Sequence, residues 1–168
     1  ITDFYGALHM KGKGSFRSRR KSKRSHGTLG DLSTEAALAA AARMLAWDGE
    51  MILLLLNEMM LSWGFNFIEG SLRSRGYDHV MVATPTAAAC AAVERTWSAL
   101  DAPVPACGWV KTLTHHPGWA RWGINSTRPA DTLAVLPLYF IRWDLARRLL
   151  DLKYNVLILD LDAVLVTD

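Results

Sequence analysis

A chain of 168 residues, of which 51% are hydrophobic and 21% charged, has the composition of one globular domain with a core of its own. Its net charge of +3 is unevenly placed: residues 1–30 hold eight of the nineteen Lys and Arg against one acid, whereas residues 31–168 hold eleven bases and fifteen acids. The longest dense apolar stretch, Met51–Leu56, is too short to span a bilayer, and no targeting signal is visible. Cys90 and Cys107 do not make a disulfide framework, and we interpret both as small buried hydrophobic residues.

Residues 1–30 are predicted to form a basic, disordered tail or linker. Within them, Lys11–Arg24 alternates bases with Gly and Ser around one aromatic residue, Phe16. This composition buries too little apolar area to offset the entropy of ordering it. We favour a solvated linker, and the alternative is a patch that binds nucleic acid or an anionic membrane. The first residue is Ile1, so we expect a fragment or a processed form.

The second region, residues 31–168, contains apolar runs of the length expected for buried strands. One run, Met51–Leu56, has no polar member and is expected to be central in the sheet. Another, Val156–Leu159, is expected to be buried on both faces. The predicted strands are Met51–Leu56, His79–Ala83, Val104–Val110 and Val156–Leu159.

One helical pattern precedes the first of these strands, and three more separate the strands from one another. Asp31 or Ser33 is the predicted N-cap of the first helix, and Thr84 is the predicted N-cap of the third, with Pro85 at its first position. Gly76 is the predicted left-handed stop of the second. The helices are expected to end near residues 47, 75, 100 and 152, the last beginning at residue 129 and breaking near Pro137. This alternation predicts an α/β fold with a mostly parallel sheet and helices on both faces.

The connection Lys111–Arg128 is unusually long for an α/β unit, which is typical of a functional or mobile loop. Its adjacent His115 and His116 would suggest a metal site, but adjacent residues seldom converge on one ion and the loop has no acid. We therefore favour a structural role for both histidines.

Two carboxylates follow the last predicted strand. Asp160 and Asp162 are two residues apart, so an extended chain points both the same way. Such a pair suits a hard divalent cation that also binds a phosphate, although it is also common at the end of an ordinary strand. In a parallel sheet, Asn57 and Glu58 should gather at the same edge, where ligands bind.

The stretch from Tyr154 to Asp168 resembles the signature Gly-Tyr-x-Val-Leu-x-x-Asp-x-Asp-x-Val-x-x-x-Asp of nucleotide-diphospho-sugar transferases. These are GT-A glycosyltransferases, similar to arabinosyl- and xylosyltransferases, of plant and algal cell-wall and glycoprotein synthesis. The likeness extends over about residues 50–168, and its distinctive part is the Asp-x-Asp block. Lys153 stands where Gly is usual, and Ala163 and Leu165 replace Val and Trp.

The resemblance implies a Rossmann-like GT-A sheet that ends after the Asp-x-Asp strand, and a sugar transfer from a nucleoside-diphosphate sugar to a hydroxyl of a glycan or glycoprotein. Mn²⁺ or Mg²⁺ would be the cofactor, with Asp162 as a direct ligand and Asp160 holding the ribose and sharing the metal. Arg142 would face the diphosphate or sugar, although it also suits a surface cation near Asp144. Asn57 and Glu58 would lie near the nucleoside.

The same resemblance implies a location in the Golgi or secretory pathway, with any membrane anchor outside this sequence and no nucleic-acid partner. The family's second half, with its acceptor pocket, would follow Asp168. We therefore expect this chain alone to bind the donor without transferring its sugar.

A second resemblance must be weighed. The stretch from Leu159 to Val166 also resembles the first motif of haloacid-dehalogenase-type phosphatases, in which Asp160 would be the nucleophile and Asp162 the acid/base. That motif usually opens its domain, whereas four α/β units precede it here. We therefore favour the transferase over the phosphatase, and a non-enzymatic binder acting through the basic tail is the third possibility.

Overall fold

A computed structural model describes residues 26–110 and 136–161 as a parallel sheet with helices on both faces. The strands are β1 (Thr28–Asp31), β2 (Glu50–Leu55), β3 (Val80–Thr84), β4 (Ala106–Trp109) and β5 (Asn155–Ile158). The helices are α1 (Glu35–Leu45), α2 (Leu61–Phe65), α3 (Ala87–Ala99) and α4 (Leu136–Asp151). Around α2 lie 3₁₀ turns at Glu58–Met60 and Arg73–Arg75 and a π-helix at Asn66–Leu72.

The five described strands pair in the order β1-β4-β3-β2-β5, and every pair is parallel. The predicted α/β class with a mostly parallel sheet is therefore confirmed, and the strand order is compatible with a Rossmann-like fold. The boundary at residue 30 is wrong in one respect, because Thr28–Asp31 form β1 beside β4 instead of belonging to a tail. This strand is short and half-exposed, so its sequence carries no buried-strand signal.

Two hydrophobic cores lie on opposite faces of the sheet, because alternate residues of each strand point to opposite sides. Met51 and Leu53 of β2 pack with α1 and α4, whereas Ile52 and Leu54 pack with the π-helix and α3. Burial of β2 on both faces explains its continuous apolar sequence.

The strand β5 differs from its prediction. Val156–Leu159 was expected to be buried on both faces, yet β5 pairs only with β2 among the described strands and is an edge strand. Val156 and Ile158 pack against the core formed with α1 and α4, while Leu157, on the other face, is 41% exposed. The prediction was wrong because an apolar run does not reveal whether a helix covers its second face.

Helix ends follow local hydrogen bonds that the sequence only partly predicts. Thr34 caps α1 and Thr86 caps α3 through their side chains, so the predicted caps at Asp31 or Ser33 and at Thr84 were wrong. Thr84 is instead fully buried in β3, where its hydroxyl donates to the Thr86 carbonyl at 2.9 Å. Gly76 adopts a φ of 84°, which confirms the predicted left-handed stop.

Cys90 of α3 and Cys107 of β4 are both buried, as predicted, but they are joined by a disulfide rather than free. The sequence does not predict this bond, because residues seventeen positions apart need the folded structure to bring them together. The bond ties α3 to the strand beneath it.

Several predictions lie outside the described residues. These concern the tail Lys11–Arg24, the loop Lys111–Arg128 with His115 and His116, the start of the last helix at Pro129, and Asp162. Within residues 26–110 and 136–161, no helix combines the length and the apolar character needed to cross a membrane.

Candidate functional site

The carboxyl ends of β2 and β5 lie side by side at the point where the strand order reverses. The chain passes from β2 to β3 and then β4 on one side of β2, and β5 is added on the other side. In open parallel sheets, ligands bind in the crevice at such a switch point, beyond the carboxyl ends of the strands. This topology alone selects the place to look for a site.

A pocket of about 250 Å³ lies at this switch point. Its described lining is mostly apolar, and the charged residues within it are a single cation and a single carboxylate. The residues that line it are Leu55, Met60, Trp63, Leu138, Tyr139, Arg142, Leu159, Asp160 and Leu161.

The cation and the carboxylate are paired with each other. Arg142 Nη1 donates a hydrogen bond to Asp160 Oδ1 at 2.6 Å. The Arg142 side chain is 16% exposed, whereas that of Asp160 is 63% exposed. Arg142 Nε is buried and has no hydrogen-bond partner among the described residues. The guanidinium is thus held largely out of water, and the carboxylate keeps access to solvent.

The alternative interpretation of Arg142 as a surface cation near Asp144 does not describe what the structure shows. Asp144 pairs with Arg147 and Arg148, at 3.5 and 3.3 Å, while Arg142 reaches across to the end of β5. The Arg142 guanidinium carbon also lies 5.8 Å from the centroid of the Trp143 ring, a distance at which a cation–π contact contributes.

The helix α4 positions Arg142 through its buried face. Four residues spaced three and four apart are buried on this face, Leu138, Ile141, Leu145 and Leu149, and the last three belong to the core that α4 shares with the sheet. With this face fixed, Tyr139 and Arg142 fall beside the carboxyl ends of β2 and β5.

On the opposite face of the sheet, Trp63 is brought to the pocket by α2. The next residue, Gly64, is buried, and a Cβ atom there would lie 2.6 Å from Leu56 Cδ2. A larger residue at position 64 would therefore force the Leu56 side chain or α2 to move. The glycine allows the close approach that places Trp63 in the pocket lining.

The other predicted site residues are less closely grouped. Asn57 follows β2, but its Oδ1 accepts a hydrogen bond from the Met59 amide at 3.0 Å and so caps a 3₁₀ turn. Glu58 is exposed at the start of this turn, and neither residue lines the pocket. Asp162 lies outside the described residues. Arg142 and Asp160 are therefore the predicted site residues that the described structure brings together.

Sequence reasoning missed Trp63 and Tyr139, which line the pocket and are 66% and 49% exposed. Large aromatic residues on the exposed faces of helices that follow or precede the site strands were an available signal. That signal is weak, because helical periodicity separates buried from exposed positions and does not distinguish a pocket from open solvent.

The described residues include no group of three or more His, Cys, Asp and Glu side chains that could hold a metal ion. Among the described residues that line the pocket, the carboxylate is that of Asp160, which is largely accessible to solvent. A single carboxylate fits Mg²⁺ or Mn²⁺ when substrate phosphates and water provide most of the ligands. Asp160 is therefore compatible with a metal that arrives together with a diphosphate.

Comparisons of this chain with protein-family models, with curated proteins and with solved structures found no match. A Rossmann-like sheet hosts many unrelated activities, so the fold by itself assigns none. The chemistry of the pocket, an apolar and aromatic lining beside one Arg–Asp pair, is what bears on function.

Proposed function

We propose that this chain is the donor-binding part of a metal-dependent glycosyltransferase, which transfers a sugar from a nucleoside-diphosphate sugar to a hydroxyl of a glycan or glycoprotein. The observation that carries the proposal is the Arg142–Asp160 pair in the pocket between the carboxyl ends of β2 and β5. The resemblance of the Asp-x-Asp stretch to nucleotide-diphospho-sugar transferases supports the same activity.

The pocket matches two parts of such a donor, the base and the diphosphate. A nucleoside diphosphate combines a planar, uncharged base that has two apolar faces with a strongly charged diphosphate. The guanidinium of Arg142 presents several N–H donors in one plane, a geometry suited to phosphate oxygens, and its low exposure limits competition from water. The apolar residues around it suit an uncharged ring.

The arrangement of strands is compatible with the GT-A type, as it is with other doubly wound sheets. Reading across the sheet from β4 through β3 and β2 to β5, the first three strands run in reverse chain order and the last is added beyond β2. In a doubly wound sheet with this order, the residues after β5 lie beside the crevice in which ligands generally bind. Asp160 occupies that position.

Arg142 and Asp160 would then have separate tasks in the reaction. As the bond to the sugar breaks, negative charge develops on the diphosphate, and Arg142 would stabilise it from a preorganised position. Asp160 would hold a ribose hydroxyl or share the cation. Mn²⁺ or Mg²⁺, when bound, would supply Lewis-acid stabilisation of the leaving group. Asp162 is the second carboxylate that the sequence predicts for that ion.

Calorimetric titration of the intact chain with UDP, with and without Mn²⁺, tests the proposal. We expect Mn²⁺ to strengthen UDP binding, and Asp160→Asn to weaken the Mn²⁺-dependent binding at least about tenfold, because a charge-assisted interaction is lost. Asp151→Asn is the matched control, since Asp151 is an exposed carboxylate at the far end of α4, paired with Arg147.

Two results would contradict this function. One is a UDP affinity that is the same with and without Mn²⁺ and in the Asp160→Asn variant. The other is hydrolysis of a generic aryl phosphate at a substantial rate that depends on Asp160, which would favour the phosphatase and its aspartyl-phosphate intermediate.

A further inference from the structure

The pocket at the ends of β2 and β5 has an apolar, aromatic lining and one charged pair. Two aromatic side chains, Trp63 from α2 and Tyr139 from α4, line it from helices on opposite faces of the sheet, together with aliphatic residues. Among the described residues that line it, the charged groups are those of the Arg142–Asp160 pair. A donor that contains a base, a diphosphate and a sugar must place one of these parts against the apolar lining.

The lining suits a nucleobase better than a sugar. A sugar ring carries hydroxyl groups around its edge, and each one buried without a hydrogen bond costs free energy. Beyond the Arg142–Asp160 pair, the described side chains of the lining offer the Tyr139 hydroxyl and the Trp63 indole N–H, which are too few for the several hydroxyl groups of a sugar. A nucleobase has two apolar faces, which stack well on aromatic side chains.

The size of the pocket points the same way. Its volume of about 250 Å³ is smaller than the ≈300–1,000 Å³ of pockets that enclose drug-sized ligands. It therefore accommodates one end of a nucleoside-diphosphate sugar and leaves the remainder outside.

We infer that the pocket is the base subsite of the donor: Trp63 and Tyr139 contact the base, and the diphosphate lies at Arg142 and Asp160. This inference rests on the proposed function and adds the orientation of the donor to it. The sugar then projects away from the apolar lining, toward the solvent-exposed side of Asp160. Trp63 and Tyr139 thereby become the residues that determine affinity for the nucleoside.

Calorimetry with three probes distinguishes binding of the nucleoside from binding of the diphosphate. The probes are uridine, UDP with Mn²⁺, and pyrophosphate with Mn²⁺. We expect Trp63→Ala and Tyr139→Ala each to weaken uridine and UDP binding roughly tenfold, since a stacking contact is lost. Pyrophosphate binding should be unchanged. Trp63→Phe should restore most of the affinity because it keeps a ring. Met59→Ala and Phe140→Ala are matched controls, since both side chains are exposed neighbours that do not line the pocket.

The outcomes distinguish failure of the inference from failure of the function. Asp160-dependent UDP binding that is insensitive to Trp63→Ala and Tyr139→Ala would overturn the base subsite and leave the transferase function in place. An equal loss of pyrophosphate binding in these variants would also overturn it. Absence of all UDP binding by the parent chain would overturn both. Because both rings are exposed, the variants should fold, and circular dichroism will verify this.

Discussion

Arg142, in α4, and Asp160, just after β5, are eighteen positions apart in sequence and share a hydrogen bond of 2.6 Å. This pair joins a helix on one face of the sheet to the carboxyl end of the edge strand. It differs from the Arg147–Asp144 and Arg147–Asp151 pairs, which link neighbouring turns of α4 on its exposed side. Exposed pairs of that kind contribute little to stability. The Arg142–Asp160 pair lies where a ligand is expected.

Replacing Arg142 with Gln should weaken UDP binding in the presence of Mn²⁺ by roughly tenfold to a hundredfold, since a charged hydrogen bond contributes about 1.5–3 kcal/mol. Calorimetry at fixed salt measures this change. Arg147→Gln, which removes an exposed arginine of the same helix, should leave the affinity unchanged. Equal affinities of the Arg142→Gln variant and the parent would show that Arg142 does not contact the ligand.

His79 should make the stability of the fold depend on pH. It is buried beside the rings of Trp47 and Tyr77, and burial lowers its pKa below the ordinary 6.5, partly opposed by the nearby charges of Asp78 and Glu50. The unfolded chain therefore takes up the proton more readily than the folded one. The contribution of neutral His79 to the free energy of unfolding is fully present above pH 6.5. It is lost as the pH falls below this value, by no more than about 1.4 kcal/mol per pH unit.

Urea unfolding at pH 7.5 and pH 5.5 measures this loss. His79→Phe keeps an aromatic ring in the same place and cannot take up a proton, so its stability should fall less between these two pH values. If the parent and the variant lose the same free energy of unfolding, other groups cause the pH dependence.

The disulfide between Cys90 and Cys107 should stabilise the fold by roughly 3 kcal/mol, because it closes a short loop in the unfolded chain. Urea unfolding with and without a thiol reductant tests this. The double variant Cys90→Ala, Cys107→Ala should be less stable than the oxidised parent and should not respond to the reductant. Alkylation of both cysteines in the denatured, unreduced parent would show that the bond is absent.

The sequence predicts the interior of this sheet well and its edges poorly. The runs at β2, β3 and β4 are apolar because helices cover both faces of these strands, and this burial is what periodicity detects. By contrast, β1 is set by its register against β4, with Gly30 beside Gly108, and its own residues are only partly buried. Such a strand cannot be recognised before its partner is known.

The candidate site shows the same division. The rule that ligands bind at the carboxyl ends of parallel strands places Asp160 in the site from sequence alone. The pairing of Asp160 with Arg142 depends on which face of α4 is buried. The roles of Trp63 and Tyr139 depend on how closely two helices approach the same strand ends, a distance that the sequence does not encode locally.

Lys153 occupies a left-handed position at the end of α4. The signature that this stretch resembles usually has Gly there. The φ of Lys153 is 69°, its amide donates to the Leu150 carbonyl at 2.9 Å, and the Tyr154 amide donates to the Leu149 carbonyl at 3.1 Å. These two hydrogen bonds define a Schellman motif, in which glycine is favoured at the left-handed residue. Gly76 holds the same position after Arg73–Arg75, where Gly76 donates to Arg73 and Tyr77 to Leu72.

Lys153→Gly should therefore raise the free energy of unfolding by up to about 1 kcal/mol, since a side chain in the left-handed region costs roughly 1–2 kcal/mol and glycine's greater freedom in the unfolded chain offsets part of the gain. Lys153→Ala should give no comparable gain, because alanine also carries a Cβ, and Gly76→Lys should be destabilising. Urea denaturation measures all three variants, provided that the slope of the transition is unchanged. A destabilising Lys153→Gly would mean that the lysine side chain makes a stabilising interaction at this helix end, just before the strand that leads to Asp160.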